Sequence, residues 1–201
     1  MAAVLKFATR EQWLVAGVAQ LRTLFKKHAK VTVPPVKVSC SWPGGGSARK
    51  RIGECWKKAM SKANINEIFI SPRIANPVQA LDILAHELVH AIDDCQHGHK
   101  IEFQRLAKAV GLTEGKPTSA SAGPELLKRL QTIADKLGVY PHSTLDLSGR
   151  KKKQTFLIKC VCADEECGAV WRMTQSWIDR AHGNNGLLCP VCQSPSYSET
   201  I

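Results

Sequence analysis

The sequence predicts an α+β fold: helices packed on a small mixed sheet, followed by a small cysteine-rich module. Three observations carry this. Apolar residues recur at helical spacing near 10–28, 76–92 and 124–137. Short strand-like runs at 36–38, 49–56 and 67–71 lie between the first two of these stretches. Five of the eight cysteines fall within the last 42 of 201 residues. The expected division is a main domain over 1–142, a basic linker over 143–154 and a small module over 155–201.

In chain order, Thr9 and Gln12 form a capping box for a helix from about Arg10 to His28. Its inward stripe is Trp13, Leu14, Val18, Leu21, Leu24 and Phe25. After Pro34-Pro35, Val36 and Val38 alternate with polar residues as in a short strand. Ser41–Ser47, with three glycines and a proline, reads as a hairpin loop, or as a lid if a cleft lies nearby. No G-K-[ST] follows, so it is not a phosphate-binding loop. Arg49–Trp56 is a candidate second strand, and Glu67–Ser71 a firm one ending at Pro72. Asn76 caps and Pro77 opens the next helix, which buries Leu81, Leu84, Ala85, Leu88 and Ile92. A further helix is expected from about His99 to Val110. Residues 111–123 read as a loop and Pro124–Leu137 as a helix. Tyr140 and His142 are candidates to reach a site and steady an oxyanion.

The apolar share of 44 % supports a real core. No apolar run reaches the roughly 20 residues of a membrane span, and nothing at the N-terminus reads as a signal peptide. A monomer in the cytoplasm is expected, the host cytoplasm if the chain is phage-encoded. In that compartment clustered cysteines point to metal rather than disulfides, whereas the scattered Cys40, Cys55 and Cys95 read as ordinary thiols. The formal net charge is +11. It is spread along the chain, with 21 basic against 12 acidic residues before Arg150 and 7 against 5 from there on. Such a surface favours phosphate backbones. The candidate nucleic-acid contacts are Arg150, Lys151, Lys152, Lys153 and Arg172.

The chemistry concentrates in His86-Glu87-Leu88-Val89-His90, an H-E-x-x-H string on the apolar helix. One helical turn separates His86 and His90, so both imidazoles project from one face and can share Zn²⁺. Glu87 sits beside that position as a proton acceptor and not as a ligand. A catalytic zinc needs a third protein ligand. His99 lies four residues before Phe103 and extends the inward series Phe103, Leu106, Ala107 and Val110, so it is the expected ligand. His97, before Gly98, is the alternative, as a loop or supporting residue.

H-E-L-V-H-A followed by G-H-x-x-E-F resembles the SprT-like zinc metalloproteases, the group that includes Spartan. The matching positions are His86, Glu87, His90, His99 and Phe103. Glu67–Pro72 and Cys162–Thr174 also look like the phage and bacterial branch of that family. Where family members often carry Gly after the third histidine, this chain has Lys100, with Gly98 before it. The resemblance implies a zincin-like domain and a catalytic zinc. It also implies an edge strand that pairs with extended substrate, and protein substrates associated with or crosslinked to DNA, including single-stranded DNA.

In the C-terminal module Cys189-Pro190-Val191-Cys192 is a C-x₂-C knuckle. Of Cys160, Cys162 and Cys167 one is spare. Cys160 and Cys162 are expected to point to opposite sides of an extended chain, and Cys167-Gly168 has the glycine of a tight turn. The expected ligands are therefore Cys162, Cys167, Cys189 and Cys192 around a structural Zn²⁺. The family's ribbon pattern aligns with Lys159, Cys162, Cys167-Gly168, Arg172 and Thr174, with a longer first knuckle and Ala163 in place of proline. Trp171 and Trp177, with Arg172, Lys159 and Arg180, could contact nucleic acid, or the tryptophans could cover the metal site.

The expected function is zinc-dependent endopeptidase, with Glu87 carrying the proton and one catalytic and one structural zinc. The rival is a nucleic-acid-binding, transcription-related zinc protein whose protease site is inactive or structural. A fourth protein ligand at the histidine site, such as Cys95 or His97, would favour the rival.

Overall fold

Thr9 accepts the Gln12 amide on its hydroxyl at 3.2 Å and starts α1 (Arg10–Ala29). Lys30, at φ 59°, ends it. The structure, a computed structural model, describes residues 5–44, 51–145 and 157–199, and its fold is mixed α+β. The chain divides into two units, Met1–Asp146 and Leu147–Ile201.

In the first unit α1 buries Trp13, Leu14, Val18, Leu21, Leu24 and Phe25. Strands β1 (Val36–Cys40), β2 (Gly53–Trp56) and β3 (Asn66–Ile70) form one sheet in the order β1-β3-β2. The central β3 runs parallel to β1, with Val38 opposite Ile68, and antiparallel to β2, with Cys55 opposite Ile68. Period-2 alternation then puts Val38, Ile68 and Ile70 on one buried face. β2 is left at an edge.

Helix α2 (Pro77–Ile92) packs on that face. Asn76 accepts the Val78 and Gln79 amides at 2.9 and 3.0 Å, and Pro77 fills the first turn. Leu81, Leu84, Ala85 and Leu88 are fully buried. Helix α3 (Ile101–Val110) begins after the expected start, so His99 lies in the turn before it. Gly111, at φ 99°, ends α3 in the left-handed region that glycine adopts without strain. The stretch 111–123 is not a plain loop. It holds β4 (Leu112–Glu114) and β5 (Ser121–Ala122), an antiparallel pair. Helix α4 (Pro124–Leu137) follows with the expected bounds.

Tyr140 and His142 do not border the cleft described below. Tyr140 is buried with its ring 4.8 Å from that of Trp13 and under the Arg10 guanidinium. Arg10, itself buried, donates to the carbonyls of Pro72, Pro141 and His142 and ties the chain after α4 to the start of α1. A buried guanidinium needs several acceptors, and three carbonyls supply them.

In the second unit β6 (Leu157–Cys162), β7 (Val170–Thr174) and β8 (Ser196–Glu199) form an antiparallel sheet ordered β7-β6-β8, with α5 (Gln175–His182) packed on one face. Among the described residues, Cys160, Ile178 and Leu187 form its buried cluster, with Ile158, Trp171, Met173 and Ala181 against them. That core is small for independent stability. Among the described residues no helix is long and apolar enough to cross a membrane.

Candidate metal centres

Helical spacing carries His86 and His90 to the same face of α2, and the turn before α3 brings His99 to them. The Nε2 of His99 lies 3.3 Å from the Nε2 of His86 and 3.1 Å from that of His90. Phe103, fully buried four residues further on, backs all three rings, and its centroid is 4.3 Å from that of His90. The third imidazole thus owes its place to the Phe103 anchor and not to a helical position of its own. His97 is held elsewhere, its Nδ1 3.1 Å from the Asp93 carboxylate.

The histidines are prepared as ligands. His86 donates from Nδ1 to the Ala120 carbonyl at 3.0 Å, since a carbonyl can only accept. Its Nε2 lone pair therefore faces His90 and His99. Burial depresses the pKa of all three rings; for His90 burial and the neighbouring imidazoles bring it to about 3. Neutral imidazole is the form that binds a metal.

Nitrogens around a tetrahedral ion with bonds of about 2.0–2.1 Å stand about 3.3 Å apart, which matches the two separations. A proton can bridge only one of these pairs at a time, whereas a cation between the rings satisfies all three. Among the described residues no fourth His, Cys, Asp or Glu joins the cluster. Neither Cys95 nor His97 is part of it; the Cys95 thiol donates to the Cys55 carbonyl at 3.5 Å.

Glu87 is buried beside this cluster with no ion-pair partner among the described residues. Burial raises its pKa to about 8, reinforced by Cys95 and Glu54 and opposed by Arg51. Gly53 of β2 makes room for it. A Cβ built at Gly53 would stand 2.5 Å from Glu87 Oε1 and 2.5 Å from Ile83 Cγ2. Two cavities flank the pair. One, of about 420 Å³, reaches His90, Cys95 and His99. The other, of about 310 Å³, reaches Asp82, Ile83 and Ala120. Arg51, Gly53, His86, Glu87 and Thr118 border both, so His86 and Glu87 stand where the two halves of one cleft meet.

The second cluster joins Cys162, at the end of β6, to Cys167, Cys189 and Cys192. The Sγ of Cys162 is 3.5 Å from that of Cys192, and Cys167 is 3.8 Å from Cys189. Four sulfurs at about 2.3 Å from one tetrahedral ion stand about 3.8 Å apart. The Val191 amide donates to Cys189 Sγ at 3.3 Å; hydrogen bonds from Ser194 lower the Cys192 thiol to about 6, while burial pushes Cys162 up to about 12.

Cys160 is outside the cluster, but not because it points away from Cys162. Residues two apart on a strand share a face, and both are buried. What separates them is position along β6: Cys160 packs against Ile178 and Leu187, while Cys162 stands at the strand end facing the turns. Trp171 packs against that core, and Trp177 is exposed with the Arg180 guanidinium 5.1 Å above its ring.

The chain matches no family model, and no curated protein or solved structure is significantly similar to it.

Of the remaining expected contacts, Arg172 is exposed on β7 opposite Lys159, and Arg150, Lys151, Lys152 and Lys153 lie outside the described residues. Three parts of the cleft went unread in the sequence. The Ala120 carbonyl and Gly53 act through backbone position and leave no sequence signal. Asp82 did leave one, since it stands one helical turn before His86.

Proposed function

We propose that the chain is a zinc-dependent endopeptidase with a zincin-like first domain and a zinc ribbon, acting on proteins associated with or crosslinked to DNA. The observation that carries the hydrolytic reading is the convergence of three neutral imidazoles, without a fourth donor among the described residues, next to a buried carboxyl that is not one of them. A structural site uses all its positions; a catalytic one keeps a position open. This favours the peptidase over the rival in which the histidine site is structural.

Zinc, when bound, supplies a Lewis acid that polarises the scissile carbonyl and makes water acidic enough to lose a proton at neutral pH. His86, His90 and His99 would hold it, His86 in the tautomer set by Ala120. Glu87 takes the proton from water and returns it to the leaving amine. A divalent cation beside it favours the carboxylate form that this role begins from. β2, unpaired on its outer edge among the described residues and bordering the cleft with Gly53 and Cys55, can align an extended substrate by main-chain hydrogen bonds. The four cysteines would hold a second zinc that stabilises a unit with little core of its own. DNA association is supported by the net charge of +11, the run Arg150-Lys151-Lys152-Lys153 in the sequence, and the exposed Arg172 and Trp177.

The test measures metal stoichiometry together with proteolysis, with and without single-stranded DNA. Two zinc ions per chain and cleavage stimulated by DNA are expected. Glu87→Gln should retain both metals and lose about 10²–10⁴ in rate. Equal turnover by that variant refutes the mechanism.

A further inference from the structure

The smaller half of the cleft has a chemistry distinct from the other. Asp82 stands one turn before His86 on α2 and borders this cavity, as do Ile52, Ile83 and Ala120. One carboxylate oxygen accepts the Ala122 amide at 2.8 Å, which fixes β5 against α2. Among the described residues Asp82 has no ion-pair partner. The cationic side chain that shares the cavity, Arg51, is paired with Glu54. Burial pushes the Asp82 carboxyl above its ordinary range, opposed only in part by the Ala122 amide.

A side chain that suits this space has an aliphatic stem for the apolar walls and a cationic head for the carboxylate. We propose that this half of the cleft receives a lysine or arginine side chain flanking the scissile bond, and that Asp82 selects its charge. The inference rests on the peptidase reading and names the substrate class for it. Asp82 determines specificity and takes no part in the proton transfer assigned to Glu87. An acidic side chain in the same place would meet Asp82 and Glu87, and is disfavoured.

The experiment uses the full-length, zinc-loaded protein and a set of quenched peptides. Lysine, arginine, norleucine, acetyl-lysine and glutamate are placed in turn at each position near the cleaved bond, and the cleavage site is read by mass spectrometry. At one position next to the bond, lysine or arginine should raise kcat/KM about tenfold or more over norleucine and acetyl-lysine. Asp82→Asn keeps an acceptor for the Ala122 amide and removes the charge, and should bring that ratio close to one. Cleavage without a basic preference overturns the subsite and leaves the peptidase reading standing. So does a preference that survives in Asp82→Asn. No cleavage of any peptide or of unfolded casein by zinc-loaded wild type, with or without single-stranded DNA, overturns the peptidase reading, and the subsite with it. If Asp82→Asn fails to fold, lysine against acetyl-lysine in the wild type decides the question.

Discussion

Gly53→Ala is the most demanding perturbation of the proposed site, because it changes no ligand and no proton carrier. The added Cβ would stand 2.5 Å from both Glu87 Oε1 and Ile83 Cγ2, whereas ordinary contact begins at 3.4 Å. The shortfall is about 0.9 Å on two sides. Ile83 Cγ2 is the short branch of a β-branched side chain on a packed helix and cannot swing aside cheaply. Either β2 retreats or the Glu87 carboxyl turns away. Overpacking of this size costs about 1–3 kcal/mol, which lowers Tm by roughly 3–10 °C. A proton carrier misplaced by about 1 Å loses on the order of 10²-fold in rate. The assay compares kcat/KM and bound zinc in wild type, Gly53→Ala, Glu87→Gln and the double variant. If Gly53 acts through Glu87, Gly53→Ala lowers the wild-type rate about 100-fold and adds little to Glu87→Gln. A metal-loaded Gly53→Ala protein that cleaves at the wild-type rate refutes the reasoning, as would full additivity in the double variant.

His99→Ala should lose the zinc of the histidine site, while His97→Ala keeps it; metal analysis after dialysis separates the two. Cys162→Ser should release the second zinc and unfold its unit, followed by hydrogen exchange of residues 157–199. Cys160→Ala should keep the metal at a cost of about 1 kcal/mol in packing. In chelator-treated protein, the depressed pKa values of His86 and His90 contribute stability that is present above about pH 6.5 and lost as pH falls toward 3. Glu87 acts in the opposite sense. Its pKa, raised to about 8, contributes stability present below 4.5 and lost as pH rises through 8. Metal-free Glu87→Gln should therefore hold its denaturant midpoint between pH 5 and 8 better than metal-free wild type.

Much of the fold was legible because its signals are local. The Thr9 and Asn76 caps, the stripe from Trp13 to Phe25 and the period of α4 depend only on neighbours in the chain, and each helix lies where they point. His86 and His90 are legible for the same reason, since one helical turn fixes their separation. His99 was reached by spacing from Phe103, yet the helix that spacing assumed starts beyond it. The position came out because Phe103 is buried against the rings, a contact that serves a turn as well as a helix. Cys160 and Cys162 teach the converse: alternation puts them on one face, and only the end of β6 decides which meets the other thiols.

The sequence by itself determined which groups could hold metal, which carboxyl could carry a proton, and where the helix that bears His86, Glu87 and His90 begins. Those facts follow from residue type and helical period. Tertiary structure alone decided that β2 brings Gly53 against Glu87, that the residue before β5 offers the Ala120 carbonyl to His86, and that the Ala122 amide of β5 meets Asp82. Each joins residues about 34 to 40 positions apart through backbone or empty space. Neither has a side-chain type or a period for a sequence to display.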